Sequence, residues 1–252
     1  MTAPFSDQRL VPSLLAIIMS VGPGLGVMLY LARRDAIRPD HADVVIRVFI
    51  GGIAVTVLAF LAQRSAIFLA TTWSLPVELT VAFRAFVGAA LVEEALKLCI
   101  VLRLAYPSPA FREVNDGIIY AIAAGLGFCC LETILHADYG AAVGLNRAFT
   151  ALPLHAIASG LMGYEIGMAK LRPRSNRRVW HGLWKAVVIH GTYNFILMLV
   201  AEGVLARGAV FLIVPLLAGA YIWLLAEVRL ARRKDRAQAR APRRARQIGW
   251  NG

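Results

Sequence analysis

Seven polar side chains able to do chemistry lie inside, or at the start of, long apolar stretches of this 252-residue sequence. They are Glu93, Glu94, Glu113, Glu132, His155, His190 and Asn194. If those stretches cross a bilayer, each charged group near its centre costs roughly 2.5–3.5 kcal/mol on insertion scales. Such groups usually face the interior of a helix bundle and serve function. We therefore predict that most of these side chains meet in one cavity.

The adjacent acids Glu93 and Glu94 are followed closely along the chain by the amine of Lys97. Glu93 and Lys97 are four residues apart with the acid on the N-terminal side, which is the better order for a helical ion pair. We predict that Glu93 mainly neutralises Lys97, and that Glu94, about 100° round the helix, faces the cavity as the catalytic charge. The alternative is that all three lie at a helix end bathed in water.

The later polar residues fall on separate apolar stretches. Glu132 lies deep in one stretch and His155 in the next. His190 and Asn194 are four apart and share a helical face. Glu113 lies at a predicted helix start, where an acid also interacts favourably with the helix dipole.

Two chemistries suit this set of residues. In one, a glutamate activates water while the imidazoles and Asn194 stabilise the developing oxyanion. In the other, the side chains hold a divalent metal, zinc being the best match to carboxylate and imidazole ligands. The predicted ligands are Glu94, Glu132, His155 and His190. The sequence has no HExxH motif, so the zinc prediction rests on residue types alone.

Composition identifies the elements that must position these groups. The chain is 59% hydrophobic and 17% charged, against about 45–50% and 25% in soluble domains. Seven stretches approach the roughly 20 apolar residues that a membrane span needs. They are residues 11–32, 44–62, 77–104, 113–136, 147–171, 181–202 and 208–230. We predict an all-α polytopic membrane protein of about seven helices. Residues 1–230 form one domain, with the site between about 80 and 200, and 231–252 form a basic cytoplasmic tail.

The net charge of +12 comes from basic residues in alternate loops and in the tail. Such clusters mark the cytoplasmic side and contact anionic lipid. They predict an outside N-terminus and a cytoplasmic C-terminus, and they argue against a nucleic-acid partner. The loop at 174–178 is then cytoplasmic and the loop at 138–145 external. The cysteines, Cys99, Cys129 and Cys130, form no CxxC motif and are interpreted as small buried hydrophobes.

Between residues 80 and 200 the chain resembles the PrsW family of intramembrane proteases. The resemblance rests on an ordered series of motifs. They are Glu93-Glu94-x-x-Lys97, Phe111-x-Glu113-x-x-Asp116-Gly117-Ile118-x-Tyr120, Gly125-Leu126-Gly127-Phe128-x-x-x-Glu132, His155 with Gly163-Tyr164, and His190-x-x-x-Asn194. That family looks related to the CAAX prenyl proteases and bacteriocin-processing proteases. One departure is Thr133, where family members commonly carry Asn.

The resemblance implies that Glu93, Glu94 and Glu113 are functional acids. It further implies cleavage of a membrane-anchored protein, such as an anti-sigma factor, in the bacterial plasma membrane. The cleavage would need access from outside, whereas the predicted orientation puts Glu113 near the cytoplasmic end of its helix and Glu132 near the outer end. Two other functions stay open for buried acids and imidazoles: a proton-coupled transporter or channel, and a non-catalytic scaffold on the same fold.

Overall fold

A computed structural model describes residues 22–26, 39–72, 75–135, 146–171 and 177–240, and within these ranges the regular structure is helical, with no strand. The long helices are α1 (Pro39–Thr71), α2 (77–105), α3 (Val114–Leu135), α4 (Ala151–Leu171), α5 (Arg177–Ala201) and α6 (Ile213–Arg240). A 3₁₀ turn, Arg207–Leu212, leads into α6. The predicted all-α fold is confirmed.

Four of the described helical segments are long and apolar enough to cross a membrane. They are Asp40–Ala70, Val114–Leu135, Arg177–Ala201 and Arg207–Arg240. The protein is therefore an all-α polytopic membrane protein. Helix α4 is almost wholly buried by its neighbours, so it does not need an apolar surface toward lipid. Of the predicted stretch 11–32, all but residues 22–26 lies outside the described ranges.

Helix α2 is irregular on both sides of its acidic motif. It runs through Val77–Ala82 as α-helix, Phe83–Leu91 as π-helix, Val92–Ile100 as α-helix and Val101–Ala105 as π-helix. π-Helical segments widen a turn by one residue and occur frequently at functional sites. The two acids and Lys97 therefore lie on a regular segment between two locally unwound ones.

Helices α3 and α4 pack closely because small residues line their interface. A Cβ atom on Gly163 would collide with the carbonyl oxygen of Gly117, and one on Gly125 would lie 2.9 Å from the carbonyl oxygen of His155. Contacts of this kind let two backbones approach, as small residues do between membrane helices. They place the second half of α3, with Glu132, beside the first half of α4, with His155.

Helix α6 extends past the predicted domain boundary. We expected a tail from Ala231, but the helix continues to Arg240. The carboxylate of Asp235 accepts hydrogen bonds from the backbone N–H groups of Val114 and Asn115, at 2.8 and 3.1 Å. It thereby caps the start of α3, whose first N–H groups have no partner within the helix. This contact explains why part of a polar, arginine-rich segment is ordered.

Candidate active site

Four helices bring six ionisable groups into one buried cluster. Helix α2 contributes Glu93, Glu94 and Lys97, α3 contributes Glu132, α4 contributes His155 and α5 contributes His190. Glu94 and Lys97 are fully buried, and the rings of His155 and His190 are 5.0 Å apart, edge to face. Five of the seven side chains singled out in the sequence therefore meet in this cluster.

Lys97 lies at the centre of this cluster. Its ammonium group donates to Oε1 of Glu94 at 2.7 Å and to Nδ1 of His155 at 2.8 Å. It also lies 4.4 Å from the centre of the Phe128 ring, within range of a cation–π interaction. Because an ammonium group can only donate, Nδ1 of His155 must accept, and the proton of the neutral imidazole therefore lies on Nε2. That nitrogen then donates to Oε2 of Glu132 at 2.8 Å.

Glu94 is the acid that neutralises Lys97. Its Oε1 accepts from Lys97 and lies 2.8 Å from Nδ1 of His190, while the separation of Glu93 from Lys97 is 3.7 Å. The prediction that Glu93 is the main partner of Lys97 is therefore wrong, and Glu93 keeps only the longer ion-pair contact. The spacing rule for helical pairs considers one helix alone, but here a partner from α5 fixes where the Glu94 carboxylate points.

Glu93 has an oxygen atom available for chemistry. Its Oε1 accepts a hydrogen bond of 2.6 Å from the side-chain amide of Gln63, on α1. Its buried Oε2 has no hydrogen bond to any described residue, and lies 3.7 Å from both Lys97 Nζ and His190 Nε2. Oε2 of Glu94 is also without a hydrogen bond, but the charge of Glu94 is already balanced at its other oxygen. A buried carboxylate oxygen is costly without a partner, so Glu93 Oε2 is where a water, a proton or a cation would bind.

Arg147 covers the cluster on the side of Glu132. Its guanidinium lies 2.7 Å from Oε2 of Glu132, and its Nε donates to Thr133 Oγ1 at 3.4 Å. Glu132 is thus held between His155 and Arg147, and the departure from the family pattern at Thr133 supplies an acceptor for this arginine. Glu132 is 17% exposed, more than the other acids of the cluster, so the cluster is most open here.

Gln63 and Arg147 also belong to the site, although neither was predicted from the sequence. Gln63 directly follows the apolar stretch 44–62, and Arg147 begins the stretch 147–171, so both resembled ordinary residues at a membrane boundary. The available signal was their type: a side-chain amide and a guanidinium close to spans that carry unpaired acids.

Two predicted site residues lie apart from the hydrogen-bonded cluster. Asn194 is half-buried, one turn beyond His190 on α5. Glu113 lies just before α3, 19 residues from Glu132, which separates them by about 28 Å at a helical rise of about 1.5 Å per residue. Glu113 lines a different cavity, of about 520 Å³, with Asn115, Arg232, Asp235 and Arg236 among its other walls. Its predicted role as a functional acid therefore concerns another part of the molecule.

The cluster contains donors that suit a divalent metal. One ligand atom each from Glu93, His155 and His190 lie within 4.8 Å of one another. His190 can donate its Nδ1 proton to Glu94, which leaves a lone pair on Nε2 near Glu93 Oε2, and metal-binding histidines are commonly supported by a carboxylate in this way. The 3.7 Å between Nε2 and Oε2 is close to the roughly 3.4 Å between ligands of tetrahedral zinc.

Glu93 and His190 therefore fit a metal as they stand, but His155 does not. While Lys97 donates to its Nδ1, the Nε2 atom carries the proton and offers no lone pair. Of the four predicted ligands, Glu94 and Glu132 are engaged with Lys97 and Arg147. A second group, Cys129, Glu132 and His155, also places one ligand atom from each residue within 4.8 Å of the others. It shares His155 with the first group.

Comparisons with known proteins agree on one family. A family model described as "PrsW family intramembrane metalloprotease" matches residues 40–220. "Protease PrsW" of Geobacillus kaustophilus is 30% identical over 184 residues, covering 72% of this chain and 79% of that protein. "Protease PrsW" of Bacillus subtilis is 27% identical over 188 residues, covering 72% and 82%. "Protease PrsW" of Clostridioides difficile is 33% identical over 122 residues, covering 45% and 51%. No solved structure matches the chain.

Proposed function

The chain belongs to the PrsW family and is an intramembrane protease, and we propose that Glu93 activates the water that cleaves its substrate. The observation that carries this proposal is the buried Oε2 of Glu93, which lacks a hydrogen bond to any described residue. Glu94 is less suited to the task, because Lys97 and His190 both bind its other oxygen.

In the proposed reaction, Glu93 and the groups around it act one after another. Glu93 takes a proton from water as the water oxygen attacks the carbonyl carbon of the scissile peptide bond. The ammonium group of Lys97 beside it favours the negative charge that develops on the carbonyl oxygen. Collapse of this intermediate breaks the C–N bond, and the proton held by Glu93 passes to the leaving amine. Asn194, one turn from His190, is proposed to orient the substrate carbonyl.

A metal can be accommodated at the same place. Glu93 and His190 would hold it, and zinc is the divalent ion best matched to such donors. When bound, it would supply Lewis-acid activation of the water or the carbonyl. His155 and Glu132 keep their hydrogen bond on the opposite side of Lys97 in either case.

The position of the cluster along the helices suggests the side from which substrate enters. His155 is four residues after the first residue of α4, and Glu132 is three before the last residue of α3. The basic residues Lys170, Arg177 and Arg178 lie at the opposite ends of α4 and α5. Because basic ends face the cytoplasm, we propose that the site opens outward from a bacterial plasma membrane. Glu113 then lies at the cytoplasmic end without conflicting with an external site.

The proposed substrate is a membrane-anchored protein, such as an anti-sigma factor, cut on the outer side of the membrane. The experiment uses purified protein in liposomes with a single-span model substrate. Wild type should release a fragment, and Glu93→Gln should release none. Glu78→Gln, an exposed acid on the same helix, is the matched control and should cleave normally. Normal cleavage by Glu93→Gln would refute the assignment, and ion flux without any cleavage by wild type would favour a transporter.

A further inference from the structure

We infer that Gln63, on α1, is a positioning residue that holds the Glu93 carboxylate in its reactive orientation. The inference rests on the proposed role of Glu93. Gln63 is half-buried, and its amide nitrogen donates to Oε1 of Glu93 at 2.6 Å. No other hydrogen bond reaches this carboxylate from the described residues, so Gln63 is its principal anchor.

The hydrogen bond acts through the rigidity of the carboxylate. The two oxygens are joined through one planar carbon, so fixing Oε1 also fixes where Oε2 can lie. With Oε1 on Gln63, Oε2 points toward the space between Lys97 and His190, 3.7 Å from each. Without this anchor the carboxylate is free to turn toward Lys97 and form the close ion pair that it does not form now. A base oriented by a further group is a recurring arrangement in enzyme sites.

A neutral donor is suited to this task. A lysine or arginine at position 63 would neutralise the negative charge of Glu93 and weaken it as a base, as Lys97 does for Glu94. An amide hydrogen bond orients the carboxylate and leaves its charge in place. The two neighbouring acids are thus differentiated by their close partners: Glu94 accepts directly from Lys97 at 2.7 Å, whereas Glu93 accepts from an amide and lies 3.7 Å from the same cation.

The test compares substitutions at position 63 in the full-length protein. Gln63→Leu removes the donor at similar size and should lower kcat about 10- to 100-fold with KM unchanged, by analogy with the loss of hydrogen-bonding partners that orient metal ligands. Gln63→Glu, which offers acceptors in place of the donor, should lose as much or more. Gln63→His keeps an N–H donor and should regain part of the rate. Ser65→Ala, on the same helix, removes a hydrogen bond only to the carbonyl of Leu61 and should change nothing.

The outcomes separate this inference from the proposed function. An unchanged kcat for Gln63→Leu, in an assay where Glu93→Gln is dead, overturns the inference and leaves the function of Glu93 intact. A lower melting temperature with an unchanged kcat per folded molecule overturns it in the same way. If wild type does not cleave, infrared difference spectroscopy gives the decision. The carboxylate band that Glu93→Gln abolishes should shift in Gln63→Leu, and an unshifted band refutes the contact.

Discussion

Exchanging each of the two neighbouring acids for glutamine should produce opposite defects. Glu94→Gln removes the partner that Lys97 touches at 2.7 Å, and both side chains are fully buried. Breaking a buried ion pair by removing one member typically costs about 3–5 kcal/mol, because the remaining charge loses its close partner. Lys97 would then keep only the longer contact with Glu93, at 3.7 Å. Glu93→Gln leaves that pair intact and keeps an acceptor for Gln63, so its cost should stay below about 1.5 kcal/mol, the range of a single hydrogen bond.

These free energies convert into measurable temperatures. For a chain of this size about 1 kcal/mol shifts the melting temperature by roughly 2–4 °C on the scale of soluble domains. Glu94→Gln should therefore melt roughly 6–20 °C lower in detergent, and Glu93→Gln less than about 6 °C lower. Adding Lys97→Met to Glu94→Gln removes the stranded charge and should recover part of the loss. Thermal unfolding and substrate turnover are measured on the same preparations.

The pattern of activity completes the test. Glu93→Gln should be folded and inactive, whereas Glu94→Gln should retain some turnover per folded molecule at temperatures below its transition. If Glu94→Gln melts like wild type while Glu93→Gln is strongly destabilised, Lys97 pairs with Glu93 instead, and the arrangement of the cluster described above is incorrect. If Lys97→Met worsens the Glu94→Gln variant, the amine has another essential contact, and His155 is the residue to examine.

Three further predictions concern the surroundings of this pair. Arg147→Gln should reduce turnover roughly tenfold, because Glu132 loses the cation that lies 2.7 Å away, and Arg147→Lys should restore part of the rate. An unchanged rate in a steady-state assay of Arg147→Gln would remove Arg147 from the site. Asp235→Ala should lower stability by about 0.5–2 kcal/mol through loss of the cap on α3, measured by thermal unfolding, and Arg236→Ala on the same turn is the control. If a metal binds, elemental analysis should find it in wild type and not in His190→Ala, while retention of the metal by that variant would exclude His190 as a ligand.

The class of fold, and most of the polar residues that meet in the buried cluster, could be predicted from the sequence alone. Apolar stretches of span length require helices, because backbone groups in lipid must pair within their own segment. Acids and imidazoles in such stretches must face a shared interior, which correctly brought Glu132, His155 and His190 together with the acidic pair. The ordered motifs also indicated the protease family, which the comparisons confirm.

The choice of partners within the cluster was decided by tertiary structure. Spacing along one helix made Glu93 and Glu94 almost equivalent neighbours of Lys97, and contacts from α1 and α5 separate them. Gln63 is 30 residues from Glu93, so no local pattern could link them. The separation of Glu113 from the cluster, and the docking of Asp235 on α3, likewise depend on which helix ends meet. Sequence periodicity fixes which residues share one helix face, but only the packing of several helices determines the atoms that those faces touch.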